Sequence, residues 1–245
     1  MNLKGVSFYL SLLCFPIGFL AFINILYASY FDYFLSIDTY FITLIVSLII
    51  GLGFFYYGKK SNKNINFIEQ LILVITSYLL TAILVAIPFY LSNYQVTFLN
   101  AIFESVSGLT GTGFSIFKNI KYLDPTLILW RSSAQWIGGL FFLFFLIIIF
   151  SNKLFNYKMT NLTFSGDNNF KSENNIKDNI LKIFIIYTLL SIIILTSLNI
   201  SGLRLFNSLN LSMTLVSGGG FLPTDNINKI INTNFQKIIF IFALA

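Results

Sequence analysis

Two short stretches of glycine and small hydroxyl residues have the composition of a cation-binding loop. Residues 110–113 read TGTG and residues 217–220 read SGGG, within an otherwise apolar chain. Glycine allows a positive φ and a close approach of neighbouring loops, so that backbone carbonyl oxygens can turn toward a common axis. Such oxygens replace the water shell of a cation in channel filters. The candidate ion-binding residues are Thr110, Gly111, Thr112, Gly113, Ser217, Gly218, Gly219 and Gly220.

A short amphipathic segment precedes each stretch. Residues 98–109 and 205–216 are each predicted to form a helix of roughly 18 Å, which is too short to cross a membrane. Irregular backbone at membrane depth is tolerated only where protein buries it or where it lines a water-filled path. The segments are therefore interpreted as re-entrant pore helices followed by filter loops, residues 110–114 and 217–221. The C-terminal end of each helix adds a partial negative charge of about half an electron.

The two segments are copies of one unit. A constant shift of 107 positions aligns the first copy with the second without a gap. The identical pairs are Asn100 and Asn207, Ser105 and Ser212, Gly111 and Gly218, Gly113 and Gly220, and Phe114 and Phe221. The repeated unit is a span, a short re-entrant helix, a glycine loop and a second span.

The rest of the chain has the composition of an integral membrane protein. Of its 245 residues, 56% are hydrophobic and 10% are charged, and the mean hydropathy is +0.81. Five runs are long enough to cross the roughly 30 Å hydrocarbon layer. They are residues 7–30, 39–57, 67–91, 127–150 and 180–200. A sixth run begins near Phe235 and reaches Ala245 after about half the length that a span requires.

These spans divide the chain into four parts. They are an N-terminal transmembrane helix pair (1–63), a first pore repeat (64–152), a cytoplasmic linker (153–179) and a second pore repeat with a truncated last span (180–245). The predicted fold class is an all-α polytopic membrane protein built from span, re-entrant pore helix, filter loop and span repeats, as in potassium channels.

The lysines predict the orientation in the membrane. Nine of the thirteen lysines fall on one side of the membrane if the spans alternate. They are Lys4, Lys59, Lys60, Lys63, Lys153, Lys158, Lys171, Lys177 and Lys182. The N-terminus is therefore expected in the cytoplasm, and the protein in the cytoplasmic (inner) membrane. The net charge of +6 is explained by this topology and does not predict a nucleic-acid partner.

Polar residues beside the loops are candidates for pore support. Ionisable groups at membrane depth usually have a partner, so Glu104 and Arg131 are predicted to brace the filter, directly or through Gln135, which lies one helical turn after Arg131. Alternatively, Arg131 extends to the outer interface. Asp225 is expected at the outer mouth, where a carboxylate concentrates cations, or in a solvated turn after Pro223.

Three motifs carry a resemblance to a known family. They are FESVSGLTGTGF (103–114), WRSSAQWIGG (130–139) and VSGGGFLPTD (216–225). In this order and spacing they resemble the Trk/Ktr/HKT superfamily of potassium transporters, and most closely the N-terminal half of its bacterial TrkH branch, with two of the four pore repeats. The first two spans are similar to the extra helix pair that precedes the repeats in that branch.

The resemblance implies potassium uptake through a pore formed by four repeats with pseudo-fourfold symmetry. It also implies a homodimer, a cytoplasmic nucleotide-binding regulatory subunit, potassium as the substrate and no cofactor in this chain. Gly113 and Gly220 match the key filter glycines of the family, which favours potassium. The chain departs from the family pattern at Gly111 and Gly218, where threonine is usual.

Two other functions remain open and a third is disfavoured. The missing hydroxyls at Gly111 and Gly218 leave a less selective sodium/potassium transporter as an alternative. The short last run leaves a non-conducting fragment or assembly partner. An intramembrane enzyme is disfavoured because the chain has no histidine and a single cysteine, Cys14, which excludes a zinc site, a disulfide within the chain and a histidine-dependent triad.

Overall fold

The computed structural model describes residues 2–61, 65–150, 173–227, 230, 231 and 233–244. These residues form helices and connecting loops without a β-strand. The helices are α1 (Leu3–Tyr30), α2 (Phe34–Gly58), α3 (Phe67–Leu91), α4 (Phe98–Leu109), α5 (Pro125–Phe150), α6 (Glu173–Ile200), α7 (Leu205–Val216) and α8 (Asn234–Leu244), with a short 3-10 helix at Ile120–Tyr122. Lys63 and residues 153–172 of the predicted linker lie outside the described residues.

Five of the helices are long and apolar enough to cross a membrane. They are α1, α2 from Ile37, α3, α5 as far as Ile149 and α6 from Asp178. The predicted fold class and its five spans are therefore confirmed. Helix α1 begins earlier than predicted, at Leu3, because the side chain of Asn2 caps it by accepting a hydrogen bond of 3.0 Å from Gly5 N–H.

The end of the predicted linker is also helical, since α6 begins at Glu173. The four-part division of the chain is otherwise a prediction that still awaits a test. Helix α8 has 11 residues, about 16 Å at the usual helical rise.

The short helices α4 and α7 occupy the predicted segments 98–109 and 205–216. Both end because a glycine takes a left-handed conformation, at Gly111 (φ +71°) and Gly218 (φ +67°). The amide of Gly111 donates to the carbonyl of Gly108 at 3.0 Å, and that of Gly218 to Leu215 at 3.1 Å. This ending satisfies carbonyls of the last turn while turning the chain sharply out of the helix.

Helix α5, the last helix of the predicted first repeat, packs against both short helices. Its close approach to α4 requires a glycine, because a Cβ atom at Gly138 would lie 2.1 Å from the carbonyl oxygen of Leu109. Next to it, a Cβ atom at Gly139 would lie 3.0 Å from Cβ of Ser217 at the end of α7. Helix α5 therefore sets the position of both short helices.

The buried core follows this arrangement. One cluster joins α1 to α5 and includes Ile17, Leu84, Phe89 and Phe141. Within it, the Trp130 indole N–H donates to the Val85 carbonyl at 3.0 Å, which ties α5 to α3. A second cluster packs α6, α7 and α8 together, with Leu198, Leu211, Leu215, Ile230 and Ile231.

The fit of α5 against α4 predicts a contrast between two glycines. Gly138→Ala should lower the free energy of unfolding by about 1–3 kcal/mol, because the added methyl group meets backbone that cannot rotate away. Gly53→Ala is the matched control, since a Cβ atom at Gly53 meets nothing within 4 Å. That change should be neutral or stabilise the helix by up to about 1 kcal/mol.

The measurement is unfolding of the purified protein in detergent, followed by the fluorescence of its two tryptophans. Equal effects of the two substitutions would contradict the close packing of α5 on α4.

Candidate ion pathway

The two glycine loops, residues 110–114 and 217–221, meet in the structure. A Cβ atom at Gly113, where φ is +75°, would lie 2.5 Å from Cα of Gly220. A Cβ atom at Gly111 would lie 3.7 Å from the carbonyl oxygen of Ser217. The candidate residues of the two repeats are thus brought into backbone contact, and this contact leaves no room for a side chain at Gly113.

The hydroxyl groups of the loops bind back to the short helices. Thr110 Oγ1 donates to the Val106 carbonyl at 2.8 Å, and Ser217 Oγ donates to the Thr214 carbonyl at 3.0 Å. Thr112 Oγ1 lies 3.1 Å from Ser107 Oγ. Since a hydroxyl oxygen can still accept when its hydrogen is used, these contacts stiffen the loops and keep lone pairs available. Thr110, Thr112, Gly218 and Gly220 are exposed.

A buried ion pair holds the first loop. Arg131 Nε donates to Glu104 Oε1 at 2.8 Å, and both side chains are almost completely buried, with 1% and 0% exposed. The same carboxylate accepts from Ser115 Oγ at 3.0 Å and from Ile116 N–H at 2.9 Å. Arg131 Nη2 also donates to Ser115 Oγ at 3.0 Å. The structure places Arg131 inside the protein, paired with Glu104.

Arg131 and Gln135 also contact the second loop. The guanidinium carbon lies 4.2 Å from the centroid of the Phe221 ring, a cation–π contact. One turn further, Gln135 Oε1 accepts from Phe221 N–H at 3.2 Å. A Cβ atom at Gly219 would lie 2.4 Å from Gln135 Cδ, so the amide side chain lies flat against the loop backbone.

Two residues whose side chains join this network were not predicted. Ser115 follows the first loop directly, and its only sequence signal is that it continues the run of small hydroxyl residues. Phe221 lies within the predicted second loop but was not assigned a role. Its signal was its match to Phe114 in the repeat alignment. The Phe221 side chain is 2% exposed, whereas Phe114 is 71% exposed.

Asp225 lies on the surface and contacts the other repeat. Its Oδ1 atom accepts from Ile120 N–H at 2.5 Å and from Lys121 N–H at 3.3 Å. Sequence reasoning missed this contact because its partners are 105 and 104 residues away. The side chain is therefore held by the first repeat.

Together, these helices and loops define an α-helical membrane protein with paired re-entrant loops. Comparison with known sequences gives the family. The sequence model of TrkH, described as a cation transport protein, matches residues 36–244. This chain therefore belongs to the TrkH family of cation transport proteins, and the resemblance deduced from its three motifs is confirmed.

Its relatives are transporters. The chain is 30% identical over 205 residues to the uncharacterized cation transporter MJ1485 of Methanocaldococcus jannaschii, covering 81% of this chain and 42% of that protein. It is 28% identical over 193 residues to the Trk system potassium uptake protein TrkG of Escherichia coli, covering 76% and 39%. The Escherichia coli protein TrkH is 26% identical over 210 residues, covering 82% and 43%.

The fold is also shared with a solved structure. The crystal structure of the potassium transporter TrkH from Vibrio parahaemolyticus matches with a TM-score of 0.81 at 19% sequence identity, over 99% of this chain and 49% of that chain. This chain spans about two fifths of the length of the curated relatives it matches. It is thus a multi-pass membrane protein of the TrkH fold.

The buried ion pair predicts strong coupling between two substitutions. Glu104→Leu or Arg131→Met alone leaves a buried charge without its partner, which should cost about 3–5 kcal/mol of stability. The double variant removes both charges and should cost less than the sum of the two. The second repeat supports this expectation, because Leu211, aligned with Glu104, is itself fully buried.

The measurement is a double-mutant cycle of unfolding free energies in detergent. Lys118→Gln, which removes an exposed cation, is the control and should change stability little. Additive effects of the two core substitutions would contradict a paired role for Glu104 and Arg131.

Proposed function

We propose that this chain is the ion-translocating subunit of a Trk-type system and takes up potassium across the cytoplasmic membrane through a pore lined by its glycine loops. The observation that carries this proposal is the backbone contact between Gly113 and Gly220. Two loops from equivalent repeats then present their backbones side by side. The printed names of the relatives TrkG and TrkH, which are potassium uptake proteins, support the choice of ion.

The mechanism is positional and electrostatic. Carbonyl oxygens of residues 110–113 and 217–220 replace water around a potassium ion as it dehydrates, and weak binding at several sites lets the ion leave again. Helices α4 and α7 end at these loops, and their C-terminal ends add partial negative charge. Potassium is the substrate, and the mechanism requires neither a cofactor in this chain nor a covalent step, so we propose transport without enzymatic activity.

Glu104, Arg131 and Gln135 act in this proposal as pore support. Carbonyl oxygens select an ion only if the loop holds them at suitable positions. Arg131 contacts Ser115 after the first loop and Phe221 at the end of the second, so one side chain fixes both loops. Asp225 belongs to the outer mouth.

The exposed face of the short helix α4 supports a larger assembly. On α7, Asn210 is fully buried and Met213 lies 4.0 Å from Ser133 of α5. The aligned residues on α4, Phe103 and Val106, are 50% and 42% exposed. A further repeat on this face of α4 would complete the pore. The homodimer and the cytoplasmic nucleotide-binding regulatory subunit rest on the family resemblance.

A second candidate is a non-conducting fragment or assembly partner of such a transporter. The observation that favours it is the coverage of about two fifths of the relatives' length. Both candidates share the same orientation, with the N-terminus in the cytoplasm. A Cβ atom at Gly58 would lie 2.6 Å from the Lys4 carbonyl oxygen, so Lys4 and Lys59 lie at the same end of the α1–α2 hairpin. Positive charge collected at one end supports the placement of that end in the cytoplasm.

The test is rubidium uptake in cells that lack their own potassium uptake and express this chain. Uptake should be inhibited more strongly by potassium than by sodium. Gly113→Ala should abolish it, because the methyl group would separate the two loops. Gly202→Ala is the matched control. Gly202 also has a positive φ, +93°, but a Cβ atom there meets nothing within 4 Å. This variant should keep its uptake despite backbone strain of about 1–3 kcal/mol.

The other outcomes identify the alternatives. No uptake by correctly inserted wild-type protein would refute conduction by this chain alone and favour the assembly partner. Equal inhibition by sodium would favour the less selective transporter, as the absence of hydroxyl groups at Gly111 and Gly218 suggests.

A further inference from the structure

We propose that Asp225 is a positioning residue that links the segments following the two glycine loops and so keeps the loops aligned with each other. These post-filter segments are residues 115–124 of the first repeat and residues 222–227 of the second. The proposal rests on the proposed function in one respect, since it takes the glycine loops to be the ion filter. It assigns Asp225 a role other than attracting cations.

The carboxylate of Asp225 accepts hydrogen bonds from backbone groups that need an acceptor. Ile120 and Lys121 begin a 3-10 helix whose N-cap residue, Asn119, makes no side-chain cap hydrogen bond. The backbone N–H groups of Ile120 and Lys121 instead point to Oδ1 of Asp225, at 2.5 and 3.3 Å. A carboxylate is a favourable acceptor at such a position. Asp225 therefore supplies, from the other repeat, the oxygen that the N-cap side chain usually provides.

Both post-filter segments are anchored at a second point, which makes this link effective. In the first segment, Ser115 and Ile116 are bound to Glu104. The second segment follows Phe221, which is held by Arg131 and Gln135. Each segment is thus fixed near its loop by the buried network and further along the chain by the contact of Asp225 with Ile120 and Lys121. A shift of one loop relative to the other would have to break one of these anchors.

The local charge argues against a simple cation-attracting role. The first post-filter segment carries Lys118, Lys121 and Asp124. With Asp225 added, the two lysines balance the two aspartates, so these four residues carry no net negative charge. The hydrogen bonds of Asp225 therefore account for its position better than the attraction of cations does.

Two substitutions separate the contact from the charge. Asp225→Asn removes the charge but keeps an oxygen that can accept from Ile120 and Lys121, whereas Asp225→Ala removes both. Asp38→Ala is the control, an exposed aspartate in α2. The first readout is amide hydrogen exchange of the peptide containing residues 118–124 in the purified protein, by mass spectrometry. The second is inhibition of rubidium uptake by potassium and by sodium.

We expect exchange about fivefold faster in Asp225→Ala, the factor given by losing one typical hydrogen bond. Exchange should be close to wild type in Asp225→Asn and Asp38→Ala. Potassium should lose its advantage over sodium in the alanine variant and keep it in the asparagine variant, at unchanged unfolding temperature.

Two results would overturn the proposal. One is unchanged exchange in Asp225→Ala, which would mean that the contact does not form. The other is equal damage by both substitutions on both readouts, which would mean that the charge matters and the contact does not. Exchange is measured without transport, so it tests the link even if the chain conducts no ions.

Discussion

The buried guanidinium group of Arg131 determines how the two glycine loops are arranged. A cation in the protein interior needs a nearby anion, because the energy of removing it from water is otherwise not recovered. Glu104 provides that anion from α4, and Ser115 and Ile116 use the remaining capacity of its carboxylate. The guanidinium group also packs against the Phe221 ring. The contacts that neutralise and cover the Arg131 guanidinium group therefore also fix the chain after the first loop and the end of the second loop.

Helix α5 couples the positions of the two glycine loops. Arg131 and Gln135 lie one turn apart on it and contact the second loop, while Gly138 and Gly139 allow backbone contact with the ends of α4 and α7. A movement of α5 would therefore displace both loops together. Since Gly113 and Gly220 meet through backbone atoms with no side chain between them, the loops have little freedom to adjust separately.

Much of this architecture follows from local sequence patterns. The apolar runs predicted the spans. The short helices were predicted residue for residue, because each amphipathic segment is followed by a glycine that can turn left-handed. Glu104 and Arg131 stood out as charges among apolar residues. The contacts of Phe221 and Asp225 could not be predicted, because they join residues far apart in the chain whose meeting depends on how α5 packs. The start of α6 was missed because its first turns are polar and carry no membrane signal.

The two repeats share a 12-residue short helix that ends at a left-handed glycine, but different groups hold their loops. The first loop is held by Glu104 of its own short helix α4, where the second repeat has the apolar Leu211. The second loop is held by Arg131 and Gln135 of α5, which belongs to the first repeat. Phe221 is covered as a result, whereas the aligned Phe114 is exposed. If each loop is supported by the preceding repeat, further repeats can be added with the same kinds of contact. In the proposed pore of four repeats, the exposed side of the first loop is the place for another copy of the α5 arrangement.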